Sequence, residues 1–470
     1  MTGRGAEPAF AARAAAALGD RHLQEALGIA TTKFIGLRRE SFAGFPEGDV
    51  LRDRARAIKE ATLQRLDEHL GRLADRVEER GGHVHWAATA DEAREIILRL
   101  CRDRGVRMAV KSKSMATEEI ELNEALEGAG VTPVETDLGE YIIQLAHEKP
   151  SHIIAPAIHK TKGQVAALIS EVARARLDAD AEVLTAAARG LLREKFLEAD
   201  LGITGANFAV AETGTVVLVT NEGNGRMVTS LPRVHVALMG IDKVIPSLSD
   251  LVVFLAILAR SATGQKLSVY TTLVRGPRAA GELDGPDEFH LVLMDNGRSR
   301  QIAGPLREAL YCLRCGACLN VCPVYRQIGG HAYGHTYPGP IGILLTAMLR
   351  GTHAVRDLAH ASSLCGACKD VCPVRIDIPR MLVELREQVD REGAAPRGER
   401  MAFRVGGLLL RSPAAWRALA RAGRWVQRPF VERGRLKRLP LVLGRWTASR
   451  DLPPVAARTF RERWKELRRS

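Results

Sequence analysis

Cys312-Leu-Arg-Cys-Gly-Ala-Cys-Leu-Asn-Val-Cys-Pro323 spaces its cysteines as C-x2-C-x2-C-x3-C and follows the last one with proline. About forty residues on, Ser363-Leu-Cys-Gly-Ala-Cys-Lys-Asp-Val-Cys-Pro373 repeats the end of that pattern. Close spacing on a tight turn aims several thiolates at one point, and soft thiolates suit iron–sulfur irons. A zinc site draws four ligands from two C-x2-C pairs, which is a different spacing. In proteins with two such runs, the last Cys of each crosses to the other cluster, and the trailing Pro stiffens its departure. The spacing therefore predicts two iron–sulfur clusters. Cys312, Cys315, Cys318 and Cys372 hold the first; Cys322, Cys365 and Cys368 hold the second.

The second run is one thiolate short, with Ser362 where its first Cys belongs. Three arrangements satisfy that corner. Ser362 or a neighbour supplies an oxygen, a water or partner fills it, or the cube lacks that iron. Two [4Fe-4S] clusters are expected, the second with a non-Cys or missing fourth ligand.

At 470 residues the chain has room for two or three domains. Seven of its eight Cys lie in the two runs. Only Cys101 remains, so no disulfide framework is expected. The Ala-rich N-terminus is interrupted by Arg13 and Asp20 and does not read as a signal peptide. The longest apolar run, Leu251 to Ala259, is too short to span a bilayer. A cytoplasmic protein is expected.

The net charge of +13 is unevenly placed. Residues 401–470 carry 18 Lys and Arg against 4 Asp and Glu, leaving 50 against 51 in the rest. A neutral body argues against a nucleic-acid protein. The basic tail also holds Trp416, Trp425, Trp446 and Trp464. Such a segment suits an acidic partner or an anionic membrane surface, peripheral at the inner membrane, and equally suits a solvated helical extension.

Upstream of the clusters, apolar residues at Leu51, Ile58, Leu63, Leu66, Leu70 and Leu73 predict a long amphipathic helix ended by Gly81-Gly82. Strands and helices then alternate to residue 300. Expected strands include His83–Ala87, Met108–Val110, Thr132–Glu135, His152–Ala155, Ala206–Ala211, Thr215–Thr220, Val234–Met239, Ser268–Leu273 and Phe289–Met294. That alternation implies an open, mostly parallel α/β sheet. Helices are expected at Ile302–Leu310 and Val355–Ala361 around the motifs. The resulting division is a helical region at 1–80, the α/β domain at 81–300, an α-helical bis-cluster domain at 301–392, and the basic segment at 393–470.

The loop Lys111-Ser112-Lys113-Ser114 follows a strand and precedes a helix, where open α/β sheets bind ligands. Lysines and hydroxyls there suit an anion, although a capped helix start with solvated lysines explains them too. Glu212 in Glu-Thr-Gly is a candidate nucleophile or base, against a turn carboxylate bonded to amides. Asn224 and Arg226 sit in a Gly-rich stretch that either wraps an anion or simply turns a hairpin. No G-x-G-x-x-G follows a strand, so nucleotide cofactors are unsupported. The glycines between Ile328 and Pro340 are expected to let backbone N–H groups reach cluster sulfur.

Taken together, Lys111-Ser-Lys-Ser-Met115, Ala211-Glu-Thr-Gly-Thr215, Thr220-Asn-Glu-Gly-Asn-Gly-Arg226, the two cysteine runs and Tyr337-Pro-Gly-Pro340 resemble the lactate-utilisation protein B family. The resemblance covers roughly residues 50 to 470. It implies an α/β domain of the CoA-transferase and sugar-isomerase type, called the LUD type. It further implies two partners, a cysteine-rich subunit and a second LUD-domain protein, in a system that oxidises L-lactate to pyruvate. This chain would be its electron-transferring iron–sulfur subunit rather than a stand-alone enzyme. The alternative is an acyl enzyme of CoA-transferase type using Glu212.

Overall fold

The computed structural model describes residues 9–393, 397–440, 443–447 and 450–468. They form two compact units, Met1–Ala394 and Ala395–Ser470.

The first unit is built on ten strands: β1 (His83–Ala87), β2 (Met108–Lys111), β3 (Thr132–Glu135), β4 (Leu201–Gly205), β5 (Phe208–Val210), β6 (Thr215–Thr220), β7 (Val234–Gly240), β8 (Val244–Ile245), β9 (Tyr270–Val274) and β10 (Glu288–Met294). Six of them make a sheet in the order β1-β10-β7-β4-β2-β3, with every neighbouring pair parallel. All seven residues of β7 are buried, as a strand covered on both faces requires. A second sheet, β8-β5-β6-β9, is antiparallel except for the β5–β8 pair.

The expected parallel α/β sheet is present, with informative differences. The strand β4 was not expected from its sequence, Leu201-Gly-Ile-Thr-Gly205. Its glycines weaken the strand signal, yet a Cβ on Gly202 would lie 2.1 Å from the Val228 carbonyl oxygen. The helix Asn224–Ser230 crosses too closely for any side chain there. That same helix begins inside the stretch read as a Gly-rich loop. His152–Ala155 is not a strand. His152 Nδ1 accepts from the Ile154 and Ala155 amides at 3.1 and 3.2 Å, which curls the backbone away from any ladder. Ile302–Leu310 is not a continuous helix: Gly304-Pro305 separates two 3₁₀ turns, Ser299–Gln301 and Arg307–Tyr311. Val355–Ala361 likewise resolves into the 3₁₀ turns Thr352–Val355 and Leu358–His360.

Four helices precede the sheet: α1 (Phe10–Gly19), α2 (Arg21–Ala43), α3 (Gly48–Gln64) and α4 (Leu66–Glu78). The single long helix read from the heptad spacing breaks at Arg65 into the last two. Their arginines reach the cysteine module. Arg13 donates to the Ala332 carbonyl (3.0 Å), Arg38 to Val371 (3.1 Å), Arg52 to Cys372 (2.9 Å) and Arg56 to Arg375 (2.6 Å).

The cysteine module joins the sheet through one buried ionic network. Arg298 grips Glu119 with two bonds (2.9 and 2.7 Å) and Asp242 with a third (2.8 Å). Tyr337 donates to Glu119 at 2.7 Å. The guanidinium and both carboxylates are almost fully enclosed. Removing one member of such a set leaves an uncompensated buried charge.

The second unit contains the helices Arg397–Arg411 and Pro413–Val426, a short hairpin, and the helix Phe460–Leu467. Phe403, Leu408, Trp416, Trp425 and Trp464 are exposed on it. Arg428 stacks on Trp425 at 4.0 Å. The Trp446 side chain falls outside the described residues. No helix among the described residues is long and apolar enough to cross a membrane.

The network predicts that Arg298→Met lowers unfolding free energy by about 3–5 kcal/mol. A shifted denaturant midpoint would measure this.

Candidate metal centre and adjoining cavity

The two cysteine runs share one backbone course. Arg314 and Leu364, each two residues after the run's first position, are left-handed at φ +59° and +54°. Gly316 and Gly366 follow at +74° and +87°, each opening a single helical turn, Ala317–Asn320 and Ala367–Asp370. Non-Gly residues enter that region rarely, so the repeat records a demanding loop shape. The shape turns amides toward sulfur. Arg314 N–H donates to Cys312 Sγ (3.4 Å), Tyr325 N–H to Cys322 Sγ (3.5 Å) and Ile376 N–H to Cys372 Sγ (3.4 Å). Between Ile328 and Pro340, one glycine serves close packing. A Cβ on Gly330 would lie 1.8 Å from the Ser151 carbonyl oxygen. His331 Nε2 bonds the Lys149 carbonyl at 2.6 Å, a structural role.

Cys312, Cys315, Cys318 and Cys372 line one small cavity walled by apolar residues such as Ile341 and Val374. Cys322, Cys365 and Cys368 lie near one another, and Cys318 lies near Cys368. The seven sulfurs therefore lie in two adjoining groups. Cys365 is exposed and the other six are buried. Burial pushes the Cys315 and Cys368 thiols up to about 12 and Cys372 to about 11, because a thiolate loses its hydration there. A soft metal that takes these sulfurs as thiolates offsets that cost, so the donor set fits an iron–sulfur group.

Cations surround the four-sulfur cavity. Arg314 lies against it and over the Tyr337 ring at 4.9 Å. Lys243 Nζ donates to the Cys312 carbonyl at 2.8 Å. Arg38 is close enough to Cys315 and Cys372 to feel their charge. Lys59 is buried, bonds the Asp242 carbonyl, and is pulled down to about 7 by desolvation. Burial opposes ionisation of Asp242, but Lys243, Arg298, Arg314 and Lys59 hold its carboxyl far below the usual range.

On the sheet side of Arg314 opens a cavity of about 610 Å³. Its walls come from the C-terminal ends of β2, β4 and β7, where open α/β sheets take ligands, and from the end of β6 in the second sheet. Charged residues lining it are Lys113, Lys243, Arg298 and Arg314 against Asp137 and Glu222. Leu313, Arg314 and Cys315 line both cavities.

The candidate anion residues divide accordingly. Ser112, Lys113 and Asn224 line the large cavity. Lys113 Nζ has no hydrogen-bond partner and stands 3.9 Å from Glu140. Asn224 is buried, with Nδ2 on Thr136 Oγ1 (3.3 Å) and Oδ1 unpartnered. Lys111 points elsewhere, into a buried ion pair with Glu135 and a bond to Asn123, both 2.5 Å. Arg226 is exposed two residues beyond Asn224, because the chain there is helical. Glu212 is also exposed and outside the cavity, where its Oε2 caps the helix Leu248–Ala262 through the Leu248 amide (3.1 Å). It is the turn carboxylate of the plainer reading, and acyl chemistry through it is not favoured. Sequence reasoning missed Lys59, Lys243, Arg298 and Arg314. Only Arg314 carried a signal, by its place inside the motif.

The LUD domain family matches residues 70–294, the 4Fe-4S dicluster domain family residues 308–376, and the C-terminal family of lactate utilisation protein B residues 384–469. Fold and sulfur geometry thus meet in an iron–sulfur protein whose 4Fe-4S dicluster domain follows a LUD-type α/β core. Lactate utilization protein B of Bacillus licheniformis is 44% identical over 98% of this chain and 97% of its own. That of Bacillus velezensis is 45% identical over 88% of each. The chain belongs to the lactate utilisation protein B family. An Escherichia coli relative named "Uncharacterized electron transport protein YkgF" is 43% identical over 88% of this chain and 87% of its own. A DUF162 family protein from Deinococcus radiodurans aligns at TM-score 0.27 and 14% identity, over 49% of this chain and 98% of its own.

Proposed function

We propose that the chain is the electron-transferring iron–sulfur subunit of a system that oxidises L-lactate to pyruvate. One cluster is held by Cys312, Cys315, Cys318 and Cys372. The other is held by Cys322, Cys365 and Cys368 with a non-Cys fourth corner, and both are of the [4Fe-4S] type. When bound, they supply two one-electron carriers, matching the two electrons released as a hydroxyl-bearing carbon becomes a carbonyl. The observation that carries this reading is the wall of Leu313, Arg314 and Cys315 shared by the large cavity and the four-sulfur cavity. One end of the sulfur array borders a ligand-sized space; the other, at Cys365, meets the surface. That is the layout of an entry and an exit for electrons.

Within that layout Lys113 and Asn224 bind and orient a small carboxylate, and Ser112 contributes a hydroxyl. The α/β domain, spanning residues 81–300, is of the CoA-transferase and sugar-isomerase type. It stands between the helical region 1–80 and the cluster domain 301–392. A cysteine-rich subunit and a second LUD-domain protein complete the system. The segment 393–470 rests on an acidic partner or an anionic inner-membrane surface through its arginines and exposed tryptophans, and the protein works in the cytoplasm.

The test is anaerobic purification followed by potentiometric EPR with iron counted. Two interacting signals that reduce reversibly support the relay; zinc in place of iron, or clusters that accept no electron, overturn it. Lys113→Met is expected to weaken binding of small carboxylates about tenfold or more, a lost charged hydrogen bond, with iron content unchanged. Calorimetry with lactate or oxamate reads this directly.

Tyr333 allows a finer check. Its hydroxyl is buried, has no conventional partner and faces Cys322. It is placed to donate to a cluster thiolate. Tyr333→Phe is expected to lower the second cluster's midpoint potential by about 40 mV, the one-electron equivalent of about 1 kcal/mol.

A further inference from the structure

We infer that Ser362 Oγ is the fourth protein ligand of the second cluster. This rests on the two-cluster reading and deepens it.

Cys312 begins the first run and Ser362 the second, each three residues ahead of the next Cys. Each is followed two residues later by a left-handed residue and four residues later by a left-handed Gly. Each then enters one helical turn that carries the run's third ligand position, Cys318 or Cys368. The side chains also make the same bond. Cys312 Sγ accepts from the Arg314 amide at 3.4 Å, and Ser362 Oγ accepts from the Leu364 amide at 3.2 Å. The oxygen thus follows its loop as the sulfur follows its own.

The loop is also held in place. Arg386, from the helix Ile378–Arg391, donates to the Ser362 carbonyl (3.1 Å) and the Ala359 carbonyl (2.8 Å). Binding is balanced simply: an Fe–O bond forms, the Ser362 O–H breaks, and its proton leaves to water. Ser362 is half-buried beside exposed Cys365, so water is at hand to take it. An alkoxide is a hard donor, so this corner iron differs from its three thiolate-held neighbours.

Two other hydroxyls compete. Ser363 is adjacent but exposed, one position out of register with Cys312. Tyr333 faces Cys322, which already occupies a corner.

The experiment compares wild type with Ser362→Ala, Ser362→Cys, Ser363→Ala and Tyr333→Phe, all isolated anaerobically as full chains. Wild type is expected to hold about eight irons. Ser362→Ala should fall to about seven and show an oxidised three-iron EPR signal, with the first cluster's signal intact as a check on folding. Ser362→Cys should keep about eight, with a changed reduced spectrum. Ser363→Ala and Tyr333→Phe should keep the wild-type count. A Ser362→Ala protein with eight irons and an unchanged spectrum overturns the assignment, as does iron loss in Tyr333→Phe instead. So does a three-iron signal in wild type itself. Should Ser362→Ala fail to fold, wild type in ¹⁷O-enriched water decides. Hyperfine broadening of the second cluster would place a water oxygen there and defeat Ser362; its absence, with eight irons, supports it. Zinc or an iron count near four in wild type would sink the two-cluster reading itself, a distinguishable failure.

Discussion

Gathering seven thiol sulfurs where water is largely excluded creates a charge problem, and much of the first unit answers it. Thiolates bound to iron leave a centre with net negative charge. In a low-dielectric interior that charge must be met by nearby cations and N–H donors. Arg314, Lys243 and Arg38 supply the cations, with Lys59 ionised only in part, and the amides of Arg314, Tyr325 and Ile376 supply the donors. These groups come from α2, α3, the segment after β7 and the motif loops. The N-terminal helices thus help to form the surroundings of the sulfur groups.

The same cations must not repel one another apart before metal arrives. Asp242 stands among them with its carboxylate held ionised, and Arg298 ties it to Glu119 and so to Tyr337. One buried network therefore joins the ends of the parallel strands to the cysteine module. Because Arg298 and Arg314 also line the large cavity, occupancy there bears on the field around the first sulfur group.

The sulfur sites were legible because thiolate ligation writes itself as spacing, which survives without any knowledge of the fold. The α/β sheet was legible through its apolar strands. What stayed hidden has physical reasons. Gly202 lets a helix pass against β4 and erases that strand's signature. His152 bonds its own following amides and removes an apolar-looking segment from the sheet. The cationic shell was invisible because the first 400 residues are nearly neutral in sum, and only folding concentrates their lysines and arginines. Of the candidate anion residues, Lys113 and Asn224 meet in one cavity, while Glu212 and Arg226 do not. Helical phase and turn capping decide those two, and neither follows from motif resemblance.

The crossing of Cys372 into the group begun by Cys312 sets a timetable for biosynthesis. At about 5–20 residues per second, the ribosome needs several seconds to travel from one to the other. Arg38 and Arg52, made long before, find their carbonyl partners at Val371 and Cys372 only when that late segment emerges. Until then the cavity lacks one of its four sulfurs, and Arg38 and Arg52 lack these two carbonyl partners. The four-sulfur cavity is thereby complete only once nearly the whole first unit has been synthesised, and a chain truncated before Cys372 would lack one of its four sulfurs.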